Sequence, residues 1–65
     1  MGNNLKAIRK TRGYTQEELA RLSGVARINI ARYETGEVKP GTDNLVKLAA
    51  ALSVTVDELI GKKAG

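Results

Sequence analysis

Arg27 and Arg32 are the side chains of this 65-residue chain with the most specific recognition chemistry. A guanidinium is a planar fork of donors, and it can pair bidentately with O6 and N7 of guanine. The two arginines are five positions apart, so they do not stack along one line of a helix. They share a broad outward face, with Asn29 beside them and Ile30 opposite. Ile28 is an apolar residue on a face that should be wet. It can touch a thymine methyl, or it can pack against the helix before it. Two solvated arginines on an ordinary helix are the plain alternative. Catalysis fits poorly, because His and Cys are both absent. There is also no phosphate-cradling glycine loop and no metal-ligand spacing. The adjacent Asp57 and Glu58 sit at a predicted helix start, where capping and the helix dipole account for them. An enzyme is not expected, and neither is a cofactor or a metal.

The elements that must position these arginines run from Thr15 to Gly36, TQEELARLSGVARINIARYETG. Thr15 can accept the backbone N–H of Glu18, and Glu18 can reach back to the N–H of Thr15. That reciprocal capping box starts a helix, with Tyr14 and Leu19 placed as its hydrophobic staple. Gly24 can take the positive φ of a sharp turn, and Val25 plugs that turn. The second helix then turns Ile30 and Tyr33 inward, the Tyr33 hydroxyl reaching the surface. Two short helices joined by a three- or four-residue turn with a glycine make the helix-turn-helix that reads the major groove of DNA. Gln16, in the first turn of the leading helix, can donate to a phosphate with help from the helix dipole.

The predicted helices cover residues 4–12, 16–23, 27–34, 42–52 and 56–61. Asn3 or Asn4 can cap the first, whose apolar side carries Leu5 and Ile8. Lys6 and Lys10 share its outer face, and Arg12 and Arg21 join them as solvated cations. The second helix has Leu19 and Leu22 as an apolar edge, with Ala20 between them allowing a close helix crossing. EVKPG, residues 37–41, is a loop. The fourth helix, capped by Gly41 or Thr42, carries the stripe Leu45, Leu48, Ala49, Leu52. Thr55 and Glu58 repeat the capping box for the fifth, with Val54 and Leu59 as staple. The KKAG tail should fray. No stretch alternates like a strand for more than a few residues, so the chain is all-α.

A chain this short is expected to be one domain over residues 1–65. Without a disulfide or zinc staple, dense helix packing or dimerisation has to stabilise it. No apolar run approaches the roughly 20 residues of a membrane span, and no signal peptide is recognised, so the cytoplasm is the expected location. The net charge of +4 is divided unevenly. Residues 1–33 carry Lys6, Arg9, Lys10, Arg12, Arg21, Arg27 and Arg32 against Glu17 and Glu18, a net of +5. Residues 34–65 carry Lys39, Lys47, Lys62 and Lys63 against Glu34, Glu37, Asp43, Asp57 and Glu58, a net of −1. The excess lies with the two-helix unit and suits a polyanion; solubility alone is the simpler reading of the total.

The blocks LKAIRKTRGYTQEELA, SGV, INIARYETG, Pro40 and LVKLAAALSVTVDEL, at these spacings, resemble the Cro/XRE family of phage-repressor-like helix-turn-helix regulators, over about residues 5–61. The resemblance implies a compact five-helix bundle of the lambda-repressor type, with the third helix in the major groove. It implies base contacts from Arg27, Ile28 and Arg32, and a contact to base or phosphate from Asn29. Phosphate contacts would come from Thr15, Gln16, Thr35, Lys39 and backbone N–H groups near Thr42. It pairs Arg9 with Glu34 as a structural ion pair. It makes Val56, Leu59 and Ile60 a homodimer surface, where the residues alone allow ordinary core equally. The implied function is a sequence-specific transcriptional regulator, a repressor, binding a palindromic operator in double-stranded DNA as a homodimer. A protein-interaction role for the fifth helix, as in an antitoxin or partner-sequestering module, is the alternative. Two departures stand out. Ala26 stands where the family often has a capping Ser, and Ser53 where it often has Gly.

Overall fold

Each helix begins and ends where local chemistry stops the chain. The computed structural model describes residues 4–61. These form α1 (Leu5–Thr11), α2 (Gln16–Ser23), α3 (Arg27–Thr35), α4 (Thr42–Leu52) and α5 (Val56–Ile60), with no strand among the described residues. α2 and α5 both start with complete capping boxes, Thr15 with Glu18 and Thr55 with Glu58. Gly24 takes the left-handed conformation that ends α2, at φ 79°, and a side chain there would be strained.

The remaining ends agree with expectation at α4 and differ by a residue at α1, α3 and α5. Asn4 occupies the N-cap of α1 but its side chain makes no cap. Its Nδ2 instead donates to the Glu58 carbonyl at 3.1 Å, and its N–H donates to the Leu59 carbonyl at 3.0 Å. It therefore ties the start of α1 to the end of α5. Asn3 and the KKAG tail lie outside the described residues. α3 extends to Thr35, one residue past Glu34. Gly41 is the N-cap of α4. α4 ends on Ser53 in the left-handed region, φ 58°, the only non-glycine with positive φ among the described residues.

Leu5, Leu19, Val25, Ile30, Tyr33, Leu48, Ala49, Leu52 and Leu59 form one buried core, with Ile8, Tyr14, Ala20, Leu45, Val54 and Val56 packed around it. α2 packs on α3 and α4, α4 on α5, and α1 on α3 and α5. All five helices therefore contribute to one centre, and burial of its large side chains is worth about 1.5–3 kcal/mol each. Leu22 does not join it. It is 55% exposed, which corrects the reading of an apolar edge shared with Leu19. The eight-residue α2 buries only Leu19.

Arg12 is no idle surface cation. Its Nε donates to the Leu52 carbonyl at 2.9 Å. The last carbonyls of a helix have no intrahelical donor, so Arg12 closes the C-terminus of α4 from α1.

Candidate nucleic-acid interface

α3 is anchored on one side and open on the other. Ile30 and Tyr33 are buried, at 0% and 5% exposure, while Arg27 is exposed, Arg32 has a half-exposed side chain and Ile28 is 53% exposed. Ile28 is thus on the outward side and not packed under the turn. Asn29 is half-buried. The Tyr33 hydroxyl accepts a hydrogen bond from Asn44 Nδ2 at 2.8 Å. That bond fastens α3 to the first turn of α4. Ala26 is the N-cap of α3 and provides no side-chain cap.

A second anchor, one residue further on, holds the same C-terminal end of α3. Arg9 Nε donates to Glu34 Oε2 at 2.6 Å and Nη2 donates to Oε1 at 3.1 Å, a two-point fork. Arg9 Nη1 donates to the Tyr14 carbonyl at 2.8 Å. The side chains are 10% and 3% exposed. Burial alone would push the Glu34 carboxyl up. The hydrogen bonds from Arg9 and Gln16, together with the charges of Arg9 and Lys6, outweigh burial and hold it below the ordinary carboxylate value. The hydrogen bond to Glu34 raises the Arg9 guanidinium against the opposing effect of burial. A charge pair this enclosed need not add net stability, but either partner alone would be a costly buried charge.

Arg32 is differently placed. Its Nε lies 3.6 Å from Glu37 Oε2, and the side chains are 51% and 65% exposed. An exposed pair of this kind is worth about 0–1 kcal/mol, so Arg32 can exchange Glu37 for a stronger acceptor.

The remaining candidates are spread over three helix ends and the loop after α3. Thr15 Oγ1 accepts the N–H of Glu18 at 3.0 Å as the N-cap of α2. Gln16 donates from Nε2 to Glu34 Oε1 at 3.0 Å. Thr35 Oγ1 donates to the Arg32 carbonyl at 3.0 Å and accepts the N–H of Glu37 at 3.4 Å. Lys39 is exposed in the 36–41 loop, and Thr42 is exposed at the first position of α4. The first N–H groups of α2 and α4 lack intrahelical acceptors and point out of the helix ends, as anion-binding amides do.

The three apolar residues of α5 differ in exposure. Leu59 is 1% exposed and belongs to the chain's own core, the ordinary-core alternative that the sequence left open. It cannot meet a second copy without leaving that core. Val56 is half-buried against the core, and Ile60 is 40% exposed.

Two contacts had no signal in the sequence. Asn44 with Tyr33 and Gln16 with Glu34 join residues 11 and 18 positions apart, and only the packed helices bring them together.

Over residues 5–59 the chain matches the model of the helix-turn-helix family, and it belongs to the Cro/XRE branch of that family. These are DNA-binding transcription regulators and not enzymes. The chain is 39% identical over 62 residues to the transcriptional repressor RstR of the cryptic phage CTXphi from Vibrio cholerae, covering 95% of this chain and 52% of that protein. Among solved structures it is similar to the c2 repressor of Salmonella phage P22 in complex with synthetic operator 9T, with a TM-score of 0.84, 30% identity, and 92% and 91% of the two chains covered. It is also similar to the restriction-modification controller protein C.AhdI from Aeromonas hydrophila, with a TM-score of 0.82, 38% identity, and 86% and 85% covered. The chain spans about half the length of the curated relatives it matches. No helix among the described residues is long and apolar enough to cross a membrane.

Proposed function

We propose that the chain is a sequence-specific DNA-binding repressor domain that docks α3 in the major groove of a near-palindromic operator as a homodimer. The observation that carries this reading is the outward face of α3. Two unburied arginines flank an exposed isoleucine on a helix whose other face is buried through Ile30 and Tyr33 and whose C-terminal end is tied down by the Tyr33–Asn44 and Glu34–Arg9 bonds. In this reading Arg27 and Arg32 pair with guanine edges and Ile28 meets a thymine methyl. Asn29 serves base or phosphate. Thr15, Gln16, Thr35, Lys39 and the amides near Thr42 hold the phosphates and set the register. The similarity to a repressor solved with an operator supports the docking mode, and the similarity to RstR supports repression as the outcome.

Two copies follow from the geometry of a symmetric site. α3 has nine residues, a length of roughly 13 Å, whereas successive major-groove faces lie about 34 Å apart. A single copy offers one such helix. Ile60, with the exposed edge of Val56, is the part of α5 left to meet the second copy.

In vitro selection of bound duplex DNA tests the proposal. The expected result is a two-fold symmetric site with half-sites about 10 base pairs apart centre to centre. Recovery of no preferred sequence would sink it. A protein partner that survives nuclease treatment and is lost in Ile60→Asp would instead favour the partner-sequestering role.

A further inference from the structure

Glu34 does more than pair with Arg9. Its Oε1 accepts two donors, Arg9 Nη2 at 3.1 Å and Gln16 Nε2 at 3.0 Å. The carboxylate therefore joins α1, α2 and the end of α3 at one point. Gln16 is the first residue of α2, with its backbone N–H ahead of any intrahelical acceptor. A glutamine amide is ambiguous, since one end donates and the other accepts. Only the donor end is useful against a phosphate. With one Nε2 proton bound to Glu34, the donor end of the amide is held in place at the first residue of α2.

We infer that Glu34 is a positioning residue for DNA-backbone binding: it presets the Gln16 amide so that its donor end is held ready for a phosphate at the start of α2. The inference rests on the DNA-binding reading above. It adds that the residue near the end of the recognition helix also governs a contact made from another helix. Lys6, whose charge acts on Glu34, places a further cation near the same junction. Arg9 alone satisfies both carboxylate oxygens, so Gln16 is not needed to keep Glu34 paired. The Gln16 bond adds to that pairing and at the same time constrains the Gln16 amide.

The test is a double-mutant cycle on the selected operator at fixed salt. Its members are wild type, Gln16→Ala, the apolar replacement Arg9→Met with Glu34→Leu, and the triple variant. Gln16→Ala should leave the melting temperature near wild type while weakening operator binding about two- to tenfold per half-site, the range for losing a pre-ordered side chain. In the apolar background the same substitution should cost less than about twofold. Arg9→Met with Glu34→Gln, which keeps an acceptor for the Gln16 amide without stranding the Arg9 charge, should restore the full cost of Gln16→Ala. Equal costs in all three backgrounds would overturn the inference while leaving DNA binding intact. Absence of any operator binding by wild type would remove the functional reading and this inference together. A measurement on the free wild-type chain does not depend on any variant folding. The Gln16 side-chain amide protons should exchange with solvent more slowly than those of a free glutamine, and exchange at the free rate would overturn the proposal.

Discussion

Ser53 holds a backbone conformation, φ 58° and ψ 42°, that costs an L-residue about 1–2 kcal/mol. Glycine would adopt it freely but would also gain freedom in the unfolded chain. Ser53→Gly is expected to stabilise the fold by about 0.5–1 kcal/mol and to raise the melting midpoint by roughly 2–8 °C. A midpoint that stays or falls in a thermal melt would show that the serine side chain compensates for the strain. Ile28 makes the opposite kind of prediction. At 53% exposure it contributes little to folding, so Ile28→Ala should change stability by no more than about 0.5 kcal/mol. Operator binding should lose preference for thymine at one position per half-site, by about 1 kcal/mol for the apolar surface no longer buried against the methyl. Unaltered preference in competition binding would remove Ile28 from the reading face. Ile28 was legible from a local signal, an apolar residue out of phase with Ile30 and Tyr33, whereas Ser53 was legible only through the resemblance, as a serine where the family often has glycine. Arg12 was not legible. Its acceptor, the Leu52 carbonyl, is 40 positions away, and nothing near Arg12 distinguishes it from Lys6 or Lys10.

Between elements, the junction of α1, α2 and α3 is where acid should act. The folded-state carboxyl of Glu34 lies below its ordinary value, against burial and because of hydrogen bonds and charge from Arg9 and Gln16. Such a group stabilises the fold at pH values above its unfolded pKa, about 4.3. That contribution is lost as pH falls through the lower folded value. Denaturant unfolding should therefore show stability declining below about pH 4.3. Part of the decline should vanish when Arg9→Met and Glu34→Leu are combined, while the part due to the Glu18 capping carboxylate, also held low by its bonds to Thr15, remains. An identical pH profile in the replaced protein would deny Glu34 any role in acid sensitivity. Removing Arg9 alone should be far worse, about 3–5 kcal/mol, out of a total of about 5–15 kcal/mol for a typical domain. At this scale the sequence was informative about where helices begin. Capping boxes and glycine stops are written within four residues of each other. It was less informative about what a helix face meets. Leu22 and Leu59 show the limit, because periodicity marks a side of a helix but not how much of that side its neighbours cover. Leu22 lies on a side of α2 that its neighbours leave open, and Leu59 lies where α1 and α4 close over α5.

Over the whole molecule, the division of charge should decide how binding responds to salt. The +5 of residues 1–33 lies in the part of the chain that includes most of the proposed reading helix, so affinity for any duplex should fall steeply as salt rises. The logarithmic slope is about −0.9 per phosphate neutralised. This separates the two kinds of cation that the reading assigns. Lys39, exposed in the loop after α3, is assigned to a phosphate. Lys39→Ala should weaken selected and scrambled DNA alike and reduce the salt slope by about one unit for each phosphate it no longer neutralises. Arg32 is assigned to a base, and its exposed pairing with Glu37 at 3.6 Å is weak enough to give way. Arg32→Ala should cost about 1–3 kcal/mol on the selected site and relax the preference at one base pair per half-site. Its effect on scrambled DNA should be smaller. Glu37→Gln offers an internal control, since it removes the competing carboxylate and a negative charge near the phosphates. It should strengthen scrambled DNA at least as much as the operator, lowering the ratio between them. Titrations of the variants on both DNAs at several salt concentrations give the slopes and the ratios together. If Arg32→Ala weakened both DNAs equally and only the slope changed, Arg32 would be a phosphate contact. Sequence choice would then fall to Arg27, Ile28 and Asn29 at the other end of α3.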